Sequence, residues 1–319
     1  MRAVWLKEFG GPEVLVAGEA SDPVPGPGQA LIEVAFANIT FVETLFRASG
    51  FGPFKPELPV IPGNGVGGVV TSVGEGADRG LIGRRVVSVT GGSGGYAELA
   101  AVDAAGLIEV PDGVELDTAV ALLADGRTAT ALIRAAGPRP GERVLVEAAA
   151  GGVGTLLVQL ARAAGATVVA AAGGARKAEV ARDLGAQVVA DYREPGWTDV
   201  VREAVGGVDV VFDGVGGPIG RSAFELLDRG GRMLSYGLAS GEWADISDGA
   251  AAARGVTLVR GPSVKPEEMS ALTASALAEA AAGRLRAVIG QRFPLERAAD
   301  AHAAIESRAT VGKTLLHVR

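Results

Sequence analysis

The sequence predicts an α/β protein in which a β-rich segment precedes a doubly wound parallel sheet, and three observations carry that prediction. Short, almost wholly apolar strands alternate with helical stretches from Val144 to Arg260, the pattern of a parallel sheet covered on both faces. The stretch Arg143–Gly165 runs from an apolar strand through a glycine-rich turn into an amphipathic helix that stops at a glycine. The first ~115 residues instead carry short or alternating apolar runs between Pro- and Gly-dense turns, with little helical periodicity.

Taken in order, Met1–Glu8 reads as a short strand, and Val14–Val16 and Ala30–Ala35 as further β-like runs. Turns are placed at Pro23–Gly28 and Thr90–Gly95, and a helix near Phe41–Ala48. The texture changes at Glu115, where a helix is predicted over Asp117–Ala136 and is ended by Gly137-Pro138-Arg139-Pro140-Gly141. Strands follow at Val144–Val146, Thr167–Ala172, Gln187–Ala190, Val208–Asp213, Gly231–Tyr236 and Val256–Arg260. The intervening helices are placed at Gly152–Ala164, Arg176–Leu184, Thr198–Val205 and near Gly220–Leu227. Beyond Pro266 come a helix over Glu267–Ala281 and β-like runs at Ala287–Gly290 and Lys313–Val318. So little structure makes no core of its own, so the tail is expected to rejoin the first segment. The expected domains are 1–117 with 263–319, discontinuous in sequence, and 118–262.

Composition narrows the partners. The 319 residues are 48% hydrophobic and 21% charged, in the range of soluble globular chains. The net charge of −7 argues against nucleic acid or an anionic membrane surface as partner. No apolar run reaches the ~18 residues that span a bilayer, and the N-terminus lacks the apolar core of a signal peptide. A cytoplasmic location is therefore expected. The absence of cysteine excludes disulfides, thiolate nucleophiles, Cys-ligated zinc and iron–sulfur clusters. The two histidines, His302 in a predicted helix and His317 in the last strand, read as structural or surface residues, and no metal site is expected.

The glycine turn is the clearest functional signal. Ala149-Ala150-Gly151-Gly152-Val153-Gly154 sits between strand and helix, where a dinucleotide pyrophosphate meets backbone N–H groups and the positive end of a helix dipole. Alanine fills the first glycine slot, which costs little if that residue keeps φ negative. Gly151 is expected to let the backbone approach the phosphates and Gly154 to let the helix pack on the strand. A free-ribose site has an acidic residue about 20 positions further on. Here that place holds Ala172-Gly173-Gly174-Ala175-Arg176-Lys177, with no carboxylate and two cations, which favours a 2′-phosphate and hence NADPH.

These features, with several more motifs, give the chain a family likeness. It resembles the medium-chain dehydrogenase/reductases, and within them the zinc-free quinone oxidoreductase (zeta-crystallin-like) branch, over nearly its full length. The resemblance rests on Ala149–Gly154 with Gln159, Val42–Arg47, Leu58–Gly63 followed by Gly67–Val70, and Gly95–Glu98. Gly126–Ala129, Asp191-Tyr192, Asp213–Gly217 and Gly312-Lys313 add to it. It implies a GroES-like β domain beside a Rossmann domain, and a homodimer. It also implies that Ala150, Gly151, Gly152, Val153 and Gly154 hold the pyrophosphate, while Gly173, Gly174, Arg176, Lys177 and Tyr192 surround the adenosine 2′-phosphate. Thr128, Val215, Gly216, Tyr236, Gly237 and Ser263 would lie along the cofactor.

The zinc-dependent members carry a Gly-His-Glu ligand motif where this chain has Gly63-Asn64-Gly65, and their four-cysteine lobe is missing here. Without a Lewis acid the resemblance implies hydride delivery to an already activated acceptor, a quinone or an α,β-unsaturated carbonyl. Thr40 fills the place of the branch's asparagine, with Asn38 two residues earlier, and Phe51 or Phe54 stands where a tyrosine is expected. Thr40 and Asp125 are the catalytic candidates; Asp125 either faces the nicotinamide or braces Arg127. Phe41, Glu43, Phe51, Phe54 and Asn64 are placed in the acceptor pocket, although Glu43 and Arg47, four apart on one helix, are expected chiefly to pair with each other. Phe41, Phe46, Phe51 and Phe54 each suit an apolar pocket wall, and core packing explains any one of them equally well. A dedicated enoyl or tailoring reductase and a non-enzymatic NADPH-binding redox sensor stand as the alternatives.

Overall fold

The computed structural model describes residues 1–52, 57–261 and 264–319. The chain divides into two compact units, Met1–Gly126 with Thr273–Arg319, and Arg127–Leu272. The first unit opens with β1 (Arg2–Leu6), β2 (Leu15–Glu19), β3 (Gln29–Ile39), α1 (Phe41–Ser49), β4 (Gly65–Val73), β5 (Arg85–Val89), β6 (Leu99–Asp103) and β7 (Ile108–Glu109), then enters α2 (Leu116–Ala136). The second runs through β8 (Arg143–Glu147), α3 (Gly152–Ala163), β9 (Thr167–Ala171), α4 (Ala175–Asp183), β10 (Val188–Ala190) and α5 (Trp197–Val205). It continues with β11 (Val208–Asp213), α6 (Gly217–Phe224), β12 (Leu227–Ser235), α7 (Asp248–Arg254) and β13 (Thr257–Arg260). The chain then returns through α8 (Met269–Ala281) to β14 (Ile289–Pro294), α9 (Ala298–Glu306) and β15 (Lys313–His317).

In the first unit β14-β15-β3-β4-β5-β7 form one sheet, with β6 also on β3. The long β3 shows the alternation of a half-buried strand, and Ala30, Ile32 and Val34 lie in a core with Val66, Val70, Val86 and Leu316. The C-terminal strand β15 pairs antiparallel with β3, Leu316 against Ala37, so the tail completes the first unit's sheet. In the second unit the order β10-β9-β8-β11-β12-β13 is parallel throughout. It is the doubly wound order with a switch point between β8 and β11. Leu145, Val169, Val211 and Met233 bury one face against Trp197, Val201 and Phe224.

Several boundaries differ from the sequence-based expectation. The division of the chain passes through α2 and α8 rather than at their ends. Thr273 Oγ1 of α8 donates to the Leu123 carbonyl of α2 at 3.1 Å. A Cβ at Gly126 would stand 2.8 Å from Ala276 Cβ, so the mid-helix glycine marks close packing of these two segments within the first unit. Helix α6 begins at Gly217, not near Gly220, because the turn ahead of it is tied to Asp213. Strand β12 begins at Leu227, four residues before the apolar run, since Leu227 pairs with Val208 ahead of a register shift. Strand β14 spans Ile289–Pro294 rather than the apolar Ala287–Gly290, because pairing with β15 sets its register. Among the described residues no helix is long and apolar enough to cross a membrane.

Candidate active site

In the second unit the candidate cofactor residues gather at the carboxyl ends of the parallel strands. The strand β8 ends at Glu147, and the left-handed residue of the turn is Ala148, with φ 46°. Ala149, in the slot of the missing glycine, is not among the positive-φ residues and is fully buried. Gly151 is extended, donates its N–H to the Ala148 carbonyl at 2.7 Å, and caps α3 without a side chain. The first N–H groups of α3 are thus left for an external acceptor. A Cβ at Gly154 would overlap the Ala148 carbonyl oxygen, which is why only glycine fits there. Gly151, Gly152 and Val153 are partly exposed along this rim, while Ala150 and Gly154 form its buried floor. The residues present fit a pyrophosphate.

At the end of β9 the chain passes through Gly173 and Gly174, the latter at φ 98°, into α4, whose first turn carries Arg176 and Lys177. Tyr192 is half-buried beside them: its ring lies 3.2 Å from where a Gly173 Cβ would stand. Arg193 belongs to none of the sequence motifs above. Its guanidinium lies across this glycine pair, with Nη2 2.7 Å from the place of a Gly174 Cβ. Asp191 fixes it there through bonds of 2.7 and 3.0 Å and also accepts the Gly174 N–H at 2.9 Å. The signal available in the sequence was that a third cation directly follows Asp191-Tyr192. Hydrogen bonding to Arg193 holds the Asp191 carboxyl below its usual range.

The turn after β11 carries Val215 and Gly216, both buried, with Gly216 at φ 72°. Asp213 accepts from Gly216 N at 2.7 Å, Val215 N at 3.2 Å and Ser235 Oγ at 2.9 Å. Tyr236 N donates to the Asp213 carbonyl at 2.9 Å, and Gly237 follows it. Thr128, Tyr236 and Gly261 line a cavity of about 500 Å³ together with Trp243, Asp245 and Arg260. Ser263 lies outside the described residues.

The first unit holds the catalytic and acceptor candidates. Thr40 caps α1, and Glu43 three residues later closes a capping box. Glu43 Oε2 accepts from Thr40 N at 2.6 Å and Thr40 Oγ1 at 2.8 Å, and Oε1 accepts from Asn64 N at 2.9 Å. Burial pushes the Glu43 carboxyl up, opposed by these bonds and by the charge of Lys313. The structure therefore joins Thr40, Glu43 and Asn64, but it does not pair Glu43 with Arg47. The Arg47 guanidinium is buried, bonds the Gly10 carbonyl and meets Glu306 of α9. Its partners, the Gly10 carbonyl and Glu306, take up the Arg47 guanidinium in place of the capping carboxylate. Asp125 accepts from Lys313 Nζ at 3.0 Å in a buried pair, a partner that neither expected role had included. Phe46 belongs to the core, in an edge-to-face contact with Phe9, while Phe41 is half-buried and Phe51 is 59% exposed. Phe54 lies outside the described residues.

Known proteins match this arrangement. Residues 26–112 match the model of the alcohol dehydrogenase GroES-like domain, and residues 152–278 that of the zinc-binding dehydrogenases. The chain is 34% identical over 319 residues to the quinone oxidoreductase of Salmonella typhimurium, covering 97% of each. The chain belongs to the medium-chain dehydrogenase/reductase superfamily.

Within that superfamily the quinone oxidoreductase of Escherichia coli, solved as a complex with NADPH, is 31% identical, and the alignment covers 100% of each chain at a TM-score of 0.91. A 2-haloacrylate reductase structure is 30% identical over 100% of each chain, with a TM-score of 0.83. The two superfamily domains correspond to the GroES-like and Rossmann architectures expected from the sequence.

Proposed function

We propose that this chain is a zinc-independent, NADPH-dependent oxidoreductase that reduces a quinone or an α,β-unsaturated carbonyl. The observation that carries the reading is the glycine pair Gly173–Gly174, bordered by Arg176 and Lys177 and crossed by Arg193, at the end of the strand that follows a phosphate-ready turn. The similarity to quinone oxidoreductases and to an NADPH complex supports it. Bound NADPH supplies the hydride. Gly151–Gly154 take the pyrophosphate, and Arg176, Lys177, Tyr192 and Arg193 take the 2′-phosphate by charge-assisted bonds. Thr128, Val215, Gly216, Tyr236 and Gly237 border the rest of the cofactor.

A conjugated acceptor spreads the developing negative charge onto its own oxygen, so the protein has only to orient it and offer one donor. Thr40 is the proposed donor: its one hydroxyl proton, held by Glu43 Oε2, turns to the acceptor oxygen as charge develops there, while the Thr40 N–H stays on Glu43. Phe41, Phe51 and Asn64 complete the acceptor side, and Asp125 holds Lys313 in place. In Gly63-Asn64-Gly65 the zinc ligands of the superfamily are replaced by residues that offer no imidazole or carboxylate, so activity should survive exhaustive chelation. The second reading, a reductase for one dedicated unsaturated acid or thioester, draws on the 2-haloacrylate reductase similarity. We place the protein in the cytoplasm as a homodimer, which light scattering would show as twice the mass of one chain.

Steady-state oxidation of NADPH against a panel of quinones, enones and unsaturated acids tests the reading. Turnover with quinones or enones is expected; preference for a single acid or thioester would favour the second reading. NADPH binding without turnover on any acceptor would leave a redox-sensing protein instead. Arg176→Ala with Lys177→Ala should weaken NADPH at least about tenfold more than NADH, and Arg193→Ala should act in the same direction. Equal losses for the two cofactors would refute the 2′-phosphate assignment.

A further inference from the structure

We propose that Glu147 is a positioning residue which stays protonated at neutral pH, donates that proton to Asp213, and so fixes the Val215–Gly216 turn that borders the cofactor. This inference rests on the reading that the 127–272 unit takes NADPH.

Strands β8 and β11 are parallel neighbours, with Val146 opposite Phe212, so their last residues Glu147 and Asp213 stand side by side. Both carboxyls are 0% exposed. Among the described residues no cation pairs with either, and two like charges cannot share so dry a site. Asp213 already accepts from three donors, Val215 N, Gly216 N and Ser235 Oγ. Among the described residues Glu147 takes only one weak N–H, from Val215 at 3.2 Å, and its buried Oε1 meets no donor. Glu147 Oε2 and Asp213 Oδ1 each lie 3.2 Å from the same Val215 N, which brings the two carboxyls together. A proton on Glu147 turns this orphaned acceptor into a donor and removes the clash of charges. Burial, and then the charge of Asp213, push the Glu147 carboxyl well up.

The pair stands at the switch point of the sheet, between the glycine turn that starts after Glu147 and the turn that starts after Asp213. Asp213 is the charged group acting on Glu147. Tyr236, whose hydroxyl lies 2.6 Å from the place of a Gly214 Cβ, and Glu242, whose Oε1 lies 3.1 Å from the place of a Gly217 Cβ, are further titratable groups at this turn. Losing the proton would set two charges against each other beneath Val215 and Gly216 and free the turn from its anchor.

Infrared difference spectra between the wild type and Glu147→Gln test the protonation state. A protonated-carboxyl C=O band, shifted in D2O, is expected in the wild type at pH 7 and absent from the variant. Its absence from the wild type would overturn the proposal. Glu147→Gln keeps shape and a donor, so its NADPH Kd should stay within about twofold of wild type. Glu147→Leu removes the donor and should raise Kd roughly tenfold with kcat little changed. A more than tenfold loss in Glu147→Gln, or wild-type affinity in a folded Glu147→Leu, would overturn the positioning role. Should Glu147→Leu not fold, the glutamine variant and the spectra still decide. If the wild type binds no NADPH at all, the cofactor reading fails while the infrared band still judges the proton.

Discussion

One missing carbon sets the shape of the phosphate turn. Gly154 lies so close to the Ala148 carbonyl that a methyl group there must push α3 off β8. Gly151 is different: its φ of −82° suits any residue, and a Cβ would stand 3.2 Å from the same oxygen. Gly154→Ala should therefore lose about 1–3 kcal/mol of stability and weaken NADPH, whereas Gly151→Ala should chiefly weaken NADPH. Denaturant melts beside cofactor titrations separate the two, and equal destabilisation would contradict the geometry. The same scale shows what residue types alone convey. The alanine at position 149 is harmless because the left-handed conformer falls one residue earlier, at Ala148, a position no motif marks.

Helix α1 is one element serving two ends. At its start Glu43 is buried and accepts the Thr40 N–H and hydroxyl, while Arg47 near its other end meets Glu306 and the Gly10 carbonyl. Thr40→Val removes the hydroxyl that bonds Glu43 and should cost about 1 kcal/mol, with a larger proportional loss of turnover if Thr40 is the donor. Thr40→Ser should restore both. Loss of stability with unchanged turnover would reduce Thr40 to a cap. The spacing Glu43–Arg47 suggested an ion pair because position on a helix is all a sequence offers. The capping geometry and the opposing α9 decided otherwise. Strands β12 and β14 teach the same lesson: their ends follow the register of a neighbour rather than their own apolar runs.

For the whole molecule, acid stability is the sharpest consequence of packing. His302 is buried on α9, its Nε2 2.9 Å from the Tyr96 hydroxyl. Burial, helped by the charge of Arg47, drives its pKa down to about 3 from the ordinary 6.5. Between these values the unfolded chain binds the proton that the folded chain refuses, so stability falls as pH drops from 6.5 towards 3. From pH 7 to pH 4 this one residue should remove roughly 3 kcal/mol. Denaturant unfolding at the two pH values, compared with His302→Gln, isolates that share; an identical pH dependence in the variant would contradict it.

The class of fold, the parallel sheet and the glycine turn are all legible in the residues alone. Each rests on local periodicity or on a backbone conformation that one residue type permits, and both are written in consecutive residues. The sequence also shows the cation pair after Gly173-Gly174 and the loss of imidazole and carboxylate at Asn64 and Gly65. Only the tertiary structure paired Asp125 with Lys313, 188 positions away, drew Arg193 across the glycine pair, and set Glu147 beside Asp213. Those partners meet through strand register and burial. Whether a charge is satisfied depends on what the folded chain brings within a few ångströms of it, which spacing along the sequence does not record.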